Sequence, residues 1–309
     1  MMNDVQHKAL NWETLLAVAA EERAWPLFDE AEGAGIASDP LLLHATFYAE
    51  RLALDSSTLG DAYLSLRPYY EEMDETIVIL DRESEQWPRL IGEGPYRPRF
   101  LYAQGNAKLL AQPMALVIGT RTPTTDGRER AAKSARALAK AGFVVLAGLS
   151  GGIEAAAHRS ALDDGAPTIA VIATGHNAFY PLSHMELQQE IADRGLVVSR
   201  FSPASKNEKV HLLLRNRMMS AMSAVVVVVE DRDGGTAVRQ ASWAQQIGKP
   251  IILFRQSLED PALSWPGRFE KVSAVKRPQD LGRVAKRLAG LKSEVKKDES
   301  ALAQLDLFV

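Results

Sequence analysis

The 309-residue chain contains no cysteine. Disulfides, thiolate chemistry and cysteine-bound metals are therefore excluded, and the composition fits a reducing compartment. No apolar run approaches the length of a membrane span, and the opening MMNDVQHK has no signal-peptide core. A cytoplasmic protein without membrane contact is expected. Also missing are a P-loop, metal-ligand spacings and any Ser/His/Asp constellation. No catalytic residue, metal or cofactor is expected, and the chain reads as a binder rather than an enzyme. The first glycine turn is not G-x-G-x-x-G, and no acidic residue follows the second strand where a ribose would need it, so a dinucleotide is poorly supported.

The net charge of −3 hides a segregation. Residues 1–75 carry four basic and fifteen acidic side chains, a net of −11, which leaves +8 on the remainder. An acidic cap on a basic body results, whether as a solvated helical face or as a functional element.

The densest information lies in Ala115–Ala161. Two apolar runs, 115–118 and 143–147, each break at glycine and lead into a helical pattern. The breaks are Gly119-Thr120-Arg121 and Gly148-Leu149-Ser150-Gly151-Gly152. A strand that ends in glycine before a helix leaves amide groups free and aims a helix N-terminus at its occupant, usually a phosphate. Two such turns on parallel strands share one crevice at the carboxyl edge of a sheet, and Arg121 adds a charge suited to bidentate phosphate binding. The small residues at 150–152 serve either close ligand approach or close packing. His158, among alanines on the following helix, reads as structural. Further glycine breaks occur at Gly175, before Tyr180-Pro181, and at Asp233-Gly234-Gly235-Thr236. Lys206, Lys209, Arg215 and Arg217 cluster around His211 and Asn216, and Arg128, Arg130, Lys133, Arg136 and Lys140 stud the helix after Arg121. A polyanion needs many cations along one groove.

Periodicity divides the chain into three parts. Residues 1–75 read as an acidic helical domain, with a turn at Gly33–Gly35 and a helix start at Asp39-Pro40. Residues 76–290 alternate strand and helix: a short strand at 76–80, strands at 115–119, 143–147, 168–173, 196–199, 224–230 and 250–254, helices at 126–141, 152–163, 183–193, 209–222 and 236–247, and a last strand and helix within 272–290. The proline- and arginine-rich stretch 81–113 reads as an extended lead-in. This alternation predicts a doubly wound, mostly parallel α/β sheet of extended Rossmann-like type. Residues 291–309 read as a charged tether and a terminal tail.

The ordered motifs resemble the DNA-processing protein A (DprA/Smf) family, within the Rossmann-like SLOG group. The resemblance covers about residues 87–253. It rests on the approach Phe100–Asn106, the Gly119-Thr120-Arg121 turn, the Ala147–His158 segment, Gly175 with Tyr180-Pro181, and Arg215-Asn216-Arg217-Met218-Met219-Ser220. It implies binding of single-stranded DNA in a basic pocket, homodimerisation, assistance in loading RecA, and no catalysis. It further implies that Arg121 holds a phosphate with amides of the Gly119–Thr120 and Gly148–Gly152 turns. Arg215–Arg217, Lys209, Gly175 and Gly234–Thr236 would contribute to the same pocket.

The departures mark a divergent branch. Ala147 replaces a usual serine and Glu154 a usual aspartate, and Arg200 stands where an acidic residue is common. Leu212 sits near the place of an aromatic residue before R-N-R. Neither a helix-hairpin-helix module over 1–70 nor a C-terminal winged helix is expected. A SLOG-type nucleotide sensor, as in phage defence, is the alternative. A Lonely Guy-type phosphoribohydrolase is disfavoured, because Asp233-Gly234-Gly235-Thr236-Ala237-Val238-Arg239-Gln240 lacks that motif's second glycine and glutamate.

The tail Gln304-Leu305-Asp306-Leu307-Phe308 resembles the pentapeptide by which bacterial proteins dock on the DNA polymerase sliding clamp. An amide anchor, two apolar plugs and a polar tether suit binding as an extended peptide.

Overall fold

The computed structural model describes residues 2–92, 97–205 and 209–291. Unbroken apolar runs such as Val225–Val228 form strands buried on both faces, the burial a parallel sheet imposes. The chain opens with helices α1 (Asp4–Val18), α2 (Glu21–Gly33), α3 (Ala45–Leu52) and α4 (Ser56–Glu71). Then come β1 (Ile77–Leu80), β2 (Leu101–Gly105), β3 (Met114–Ile118), α5 (Thr125–Lys140), β4 (Val144–Gly148), α6 (Ile153–Asp163), β5 (Thr168–Val171), α7 (Met185–Arg194) and β6 (Leu196–Ser199). The remainder is α8 (Lys209–Met222), β7 (Val225–Val228), α9 (Thr236–Gln246), β8 (Ile251–Phe254), α10 (Arg255–Glu259), β9 (Ser273–Val275) and α11 (Leu281–Leu288).

The strands form one sheet in the order β1-β2-β6-β5-β4-β3-β7-β8-β9. β1 and β2 run antiparallel to each other and β2 runs antiparallel to β6, while every pair from β6 to β9 is parallel. Side-chain alternation sorts β3 between two cores. Leu116 and Ile118 pack with Met218, Met219 and Ala241 of α8 and α9. Ala115 and Val117 pack on the opposite face with Ala131 and Ala135 of α5 and Ala157 of α6. From β3 the chain winds outward to β4 on one side, and later to β7 on the other. The crevice at this reversal is where open α/β sheets take ligands.

One expectation needs correction. The extended lead-in over 81–113 contains a full sheet strand, β2, whose register pairs Tyr102 with Ile79 on one side and Ser199 on the other. Its polar end, Gln104-Gly105, and the preceding Arg97-Pro98-Arg99 mask the alternation on which a strand reading relies.

Helices α1–α4 bury Trp12, Leu15, Phe28, Tyr48, Tyr63 and Tyr70 in a core of their own, which continues onto Ile77, Phe100 and Tyr102 at the antiparallel edge. Edge-to-face rings link Trp12 to Phe28 at 5.6 Å and Phe28 to Phe100 at 6.0 Å. The Tyr70 and Tyr102 hydroxyls meet at 2.6 Å. Arg99 pairs with Asp29 and Glu32 of α2, and buried Arg200 lies 3.8 Å from Glu21. The departure from an acidic residue at position 200 thus has a partner on the N-terminal helices. Among the described residues, no helix is long and apolar enough to cross a membrane.

Candidate functional site

Three strand ends meet at the reversal. β3 delivers the 119–124 loop, β4 the 149–152 loop, and β7 the 229–235 loop. Gly119 permits the approach: an added methyl would lie 2.5 Å from the Ile153 side chain and 2.7 Å from the Glu230 carbonyl. Gly152 has φ +78°, and an added methyl there would lie 2.4 Å from the Thr120 carbonyl. The Ile153 amide donates to that carbonyl at 3.2 Å, so the first two loops are fastened back to back. Gly235 plays the equivalent part in the third, where an added methyl would lie 2.1 Å from Asp231 Oδ2.

The loops enclose a cleft of about 400 Å³. Gly119, Thr120, Arg121 and Ser150 line one wall, Arg215 and Asn216 of α8 the floor, and Arg232, Gly234, Gly235, Thr236 and Arg239 the other wall. Arg121 is exposed and Arg215 is buried. Gly148 makes room for the buried guanidinium: a methyl at that position would lie 2.6 Å from Arg215 Nη1 and 2.9 Å from Glu154 Oε2. Arg215 Nε and Nη2 donate to Asn216 Oδ1 at 3.1 and 2.8 Å. Burial holds Arg215 below the ordinary guanidinium range; the Glu154 carboxylate opposes this, and the charge of Arg121 adds to it. Two guanidiniums that line one cleft and act on each other make a setting that an entering anion stabilises.

The loop amides are less free than their sequence implies. The Ser150 amide donates to Glu154 Oε2 at 3.0 Å. The Thr120 amide donates to the Glu230 carbonyl at 2.7 Å. Glu230 Oε1 and Oε2 accept from the Thr124 amide and hydroxyl at 2.8 and 2.7 Å, and Asp231 Oδ2 accepts from the Val238 amide at 3.1 Å. Asp231 thus satisfies one donor that the α9 N-terminus otherwise leaves open, while Glu230 and Glu154 hold the loops that lead into α5 and α6. The Thr236 and Ala237 amides have no acceptor among the described residues. The Arg121, Gly151 and Gly152 amides of the first two turns likewise have no acceptor among the described residues.

Some expected residues lie elsewhere. Gly175 packs against the 202–203 backbone, where an added methyl would lie 2.5 Å from the Ser202 carbonyl. Lys209 begins α8 six residues before Arg215, about 9 Å along the axis. Arg217 projects to another face of α8, with its guanidinium 5.4 Å from the Trp243 ring centre. Gly151 and Gly152 shape the loop behind the cleft. Lys206 and the tail Gln304–Phe308 fall outside the described residues. On α5, Arg130 bonds to Gln256 at 2.7 Å, Lys133 to Glu129 at 2.6 Å and Arg136 to Asp164 at 2.8 Å, so much of that charge run is paired locally. His158 is a structural link: its Nε2 donates to the Gly148 carbonyl at 2.9 Å and its Nδ1 bonds to Thr168 Oγ1 at 2.8 Å. Sequence reasoning passed over Arg232 and Arg239. Their signal is the spacing around Gly234-Gly235, with Arg239 three residues after the helix-opening Thr236.

The family profile for DNA recombination-mediator protein A matches residues 78–272. The chain belongs to this family. It is 29% identical over 202 residues to the DNA processing protein DprA of Bacillus subtilis, covering 65% of this chain and 67% of that one. Identity to Protein Smf of Synechocystis is 32% over 186 residues, covering 59% of this chain and 47% of the relative. The chain thus spans about half the length of that relative. Among solved structures, DNA processing protein A of Helicobacter pylori, known for its single-stranded DNA binding mode, superposes with a TM-score of 0.59 at 28% identity, covering 68% of this chain and 96% of that one. DprA of Streptococcus pneumoniae shares the fold over 94% of this chain and 97% of its own, with a TM-score of 0.70 at 23% identity. The family match spans all three cleft loops and α8, and it ends short of α11.

Proposed function

We propose that this protein binds single-stranded DNA in the cleft between the 119–124, 149–152 and 229–235 loops, and that it serves DNA recombination, repair or a related DNA-processing step. One observation carries the reading: Arg121, Arg215, Arg232 and Arg239 converge at the sheet's reversal beside the open amides of Thr236 and Ala237. The similarity to the Helicobacter protein, which has a single-stranded DNA binding mode, adds support. Arg121 is the exposed phosphate contact and Arg215 the buried charge behind it. The resemblance extends the reading to a homodimer with RecA as partner, and the Gln304-Leu305-Asp306-Leu307-Phe308 tail to docking on the sliding clamp.

A gel-shift series with single-stranded DNA, double-stranded DNA and a competing mononucleotide tests it. Single-stranded DNA is expected to bind best, with Arg121→Ala weakening binding roughly 10-fold or more regardless of base sequence, since hydrogen bonds to charged groups contribute about 1.5–3 kcal/mol. A volume of about 400 Å³ also accommodates one nucleotide. Tight mononucleotide binding without oligonucleotide binding would move the assignment to a SLOG-type nucleotide sensor.

A further inference from the structure

The arginine cleft does not end at Arg239. Asn216, Thr236, Arg239 and Gln240 also line a second recess of about 400 Å³ between α8 and α9, whose far end is Leu212, Leu213 and Trp243. Gln240 Nε2 donates to the Asn216 carbonyl at 3.1 Å and fixes the spacing of the two helices. Along α9, Thr236, Gln240 and Trp243 fall at helical spacing on one face. The open amide of Thr236 and the Trp243 ring are seven residues apart, about 10 Å along the axis. The Trp243 ring is half-buried, with the Arg217 guanidinium 5.4 Å from its centre. Leu213 is 49% exposed beside it. A charged cleft that shares a wall with an apolar recess has the polarity of a nucleotide, phosphate on one side and base on the other.

We infer that Trp243, with Leu212 and Leu213, forms a base-stacking shelf for the single strand whose phosphates occupy the arginine cleft. This inference rests on the proposed function and names the groups that receive the bases. The occupant follows from the shared wall of Asn216, Thr236, Arg239 and Gln240. A strand whose phosphate meets Thr236 and Arg239 carries its base toward the next turns of α9, where the Trp243 indole shares the recess with Leu212, Leu213 and Arg217 of α8. Base–aromatic stacking tolerates any sequence, because every base has a π-face, and contributes roughly 1–3 kcal/mol per base. The aromatic group comes from α9, at a position outside the R-N-R segment of α8.

Fluorescence anisotropy of the full-length protein with an oligothymidylate and an abasic deoxyribose-phosphate oligomer of equal length tests the shelf. Trp243→Ala is expected to weaken oligothymidylate binding about 10-fold and to leave abasic binding at the wild-type level, while Trp243→Phe restores most of the loss. Unchanged abasic affinity also certifies that the variant is folded. Wild-type affinity of Trp243→Ala for both polymers overturns the shelf, as does an equal loss on both that Trp243→Phe shares. A change in sedimentation with no change in DNA affinity also overturns it, in favour of a second copy of the chain as occupant. Arg121→Ala separates the two levels of the argument. If it weakens binding to both polymers while Trp243→Ala moves neither, the shelf falls and the DNA reading stands. If the wild-type protein binds neither polymer, the DNA reading itself falls.

Discussion

Gly235 is where the sequence and the cleft are most tightly coupled. Its missing side chain is the space that the Asp231 carboxylate occupies, and that carboxylate caps α9 through the Val238 amide. Gly235→Ala places a methyl on the carboxylate and expels it. The expected loss is about 1–2 kcal/mol, the scale of a lost helix cap, and a fall in Tm of about 2–4 °C per kcal/mol. A thermal melt that matches the wild type would show that the cap does not hold the loop. The place of Arg121 in the cleft was legible because glycine and arginine stand together after a strand. Arg232 and Arg239 were not, because their alignment depends on how the 229–235 loop turns around Asp231. The carboxylates on the loop amides were equally hidden, since Glu230 reaches Thr124 across 106 positions of sequence.

At the scale of elements, the parallel core was readable because its strands are buried on both faces and appear as continuous apolar runs. β2 was not, because a short strand at the antiparallel edge has one polar end and follows a proline. Part of the α5 charge run is paired, because helical spacing lets cations bond to acidic neighbours on the same helix or the next, as Lys133 does with Glu129 and Arg136 with Asp164. Exposed pairs of this kind contribute little. The double variant Lys133→Ala, Arg136→Ala is accordingly expected to change DNA affinity by less than about 3-fold at physiological salt, where exposed charges are screened. A loss as large as that of Arg121→Ala would return α5 to the binding surface. Gly152 ties two elements together. Gly152→Ala meets both a positive φ and the Thr120 carbonyl, so a loss of about 1–3 kcal/mol is expected, measured by denaturant unfolding.

At the scale of the molecule, the acidic helices dock at the β1–β2 edge. β2 and β3 are four strand spacings apart, about 19 Å. Their seam has a titratable signature. Burial pushes the Glu13 carboxyl up to about 7, against a hydrogen bond from Ser202 and the charge of Arg200. Burial pushes His176, bonded to the Tyr102 carbonyl, and His158, which lies away from the seam beside Gly148 and Thr168, down to about 4. Between roughly pH 4.5 and 6.5 the unfolded chain gains protons on two histidines and the folded chain keeps one on Glu13, so stability rises with pH across that window. From pH 6.5 to 7 only Glu13 acts, and stability falls as the pH rises. Glu13→Gln is therefore expected to melt above the wild type at pH 8 and level with it near pH 5. An equal difference at both pH values would place the cause in packing rather than charge.

On the proposed reading, a cluster of arginines at the sheet's reversal holds the phosphates of a single DNA strand. The most direct measurement is the salt dependence of oligonucleotide affinity for the wild type and Arg121→Ala. Each phosphate neutralised contributes about 0.7 to the slope of log affinity against log salt on single strands. A steep negative slope is expected for the wild type, shallower by about that amount in the variant. Binding that ignores salt, or a variant with the wild-type slope and affinity, would contradict it.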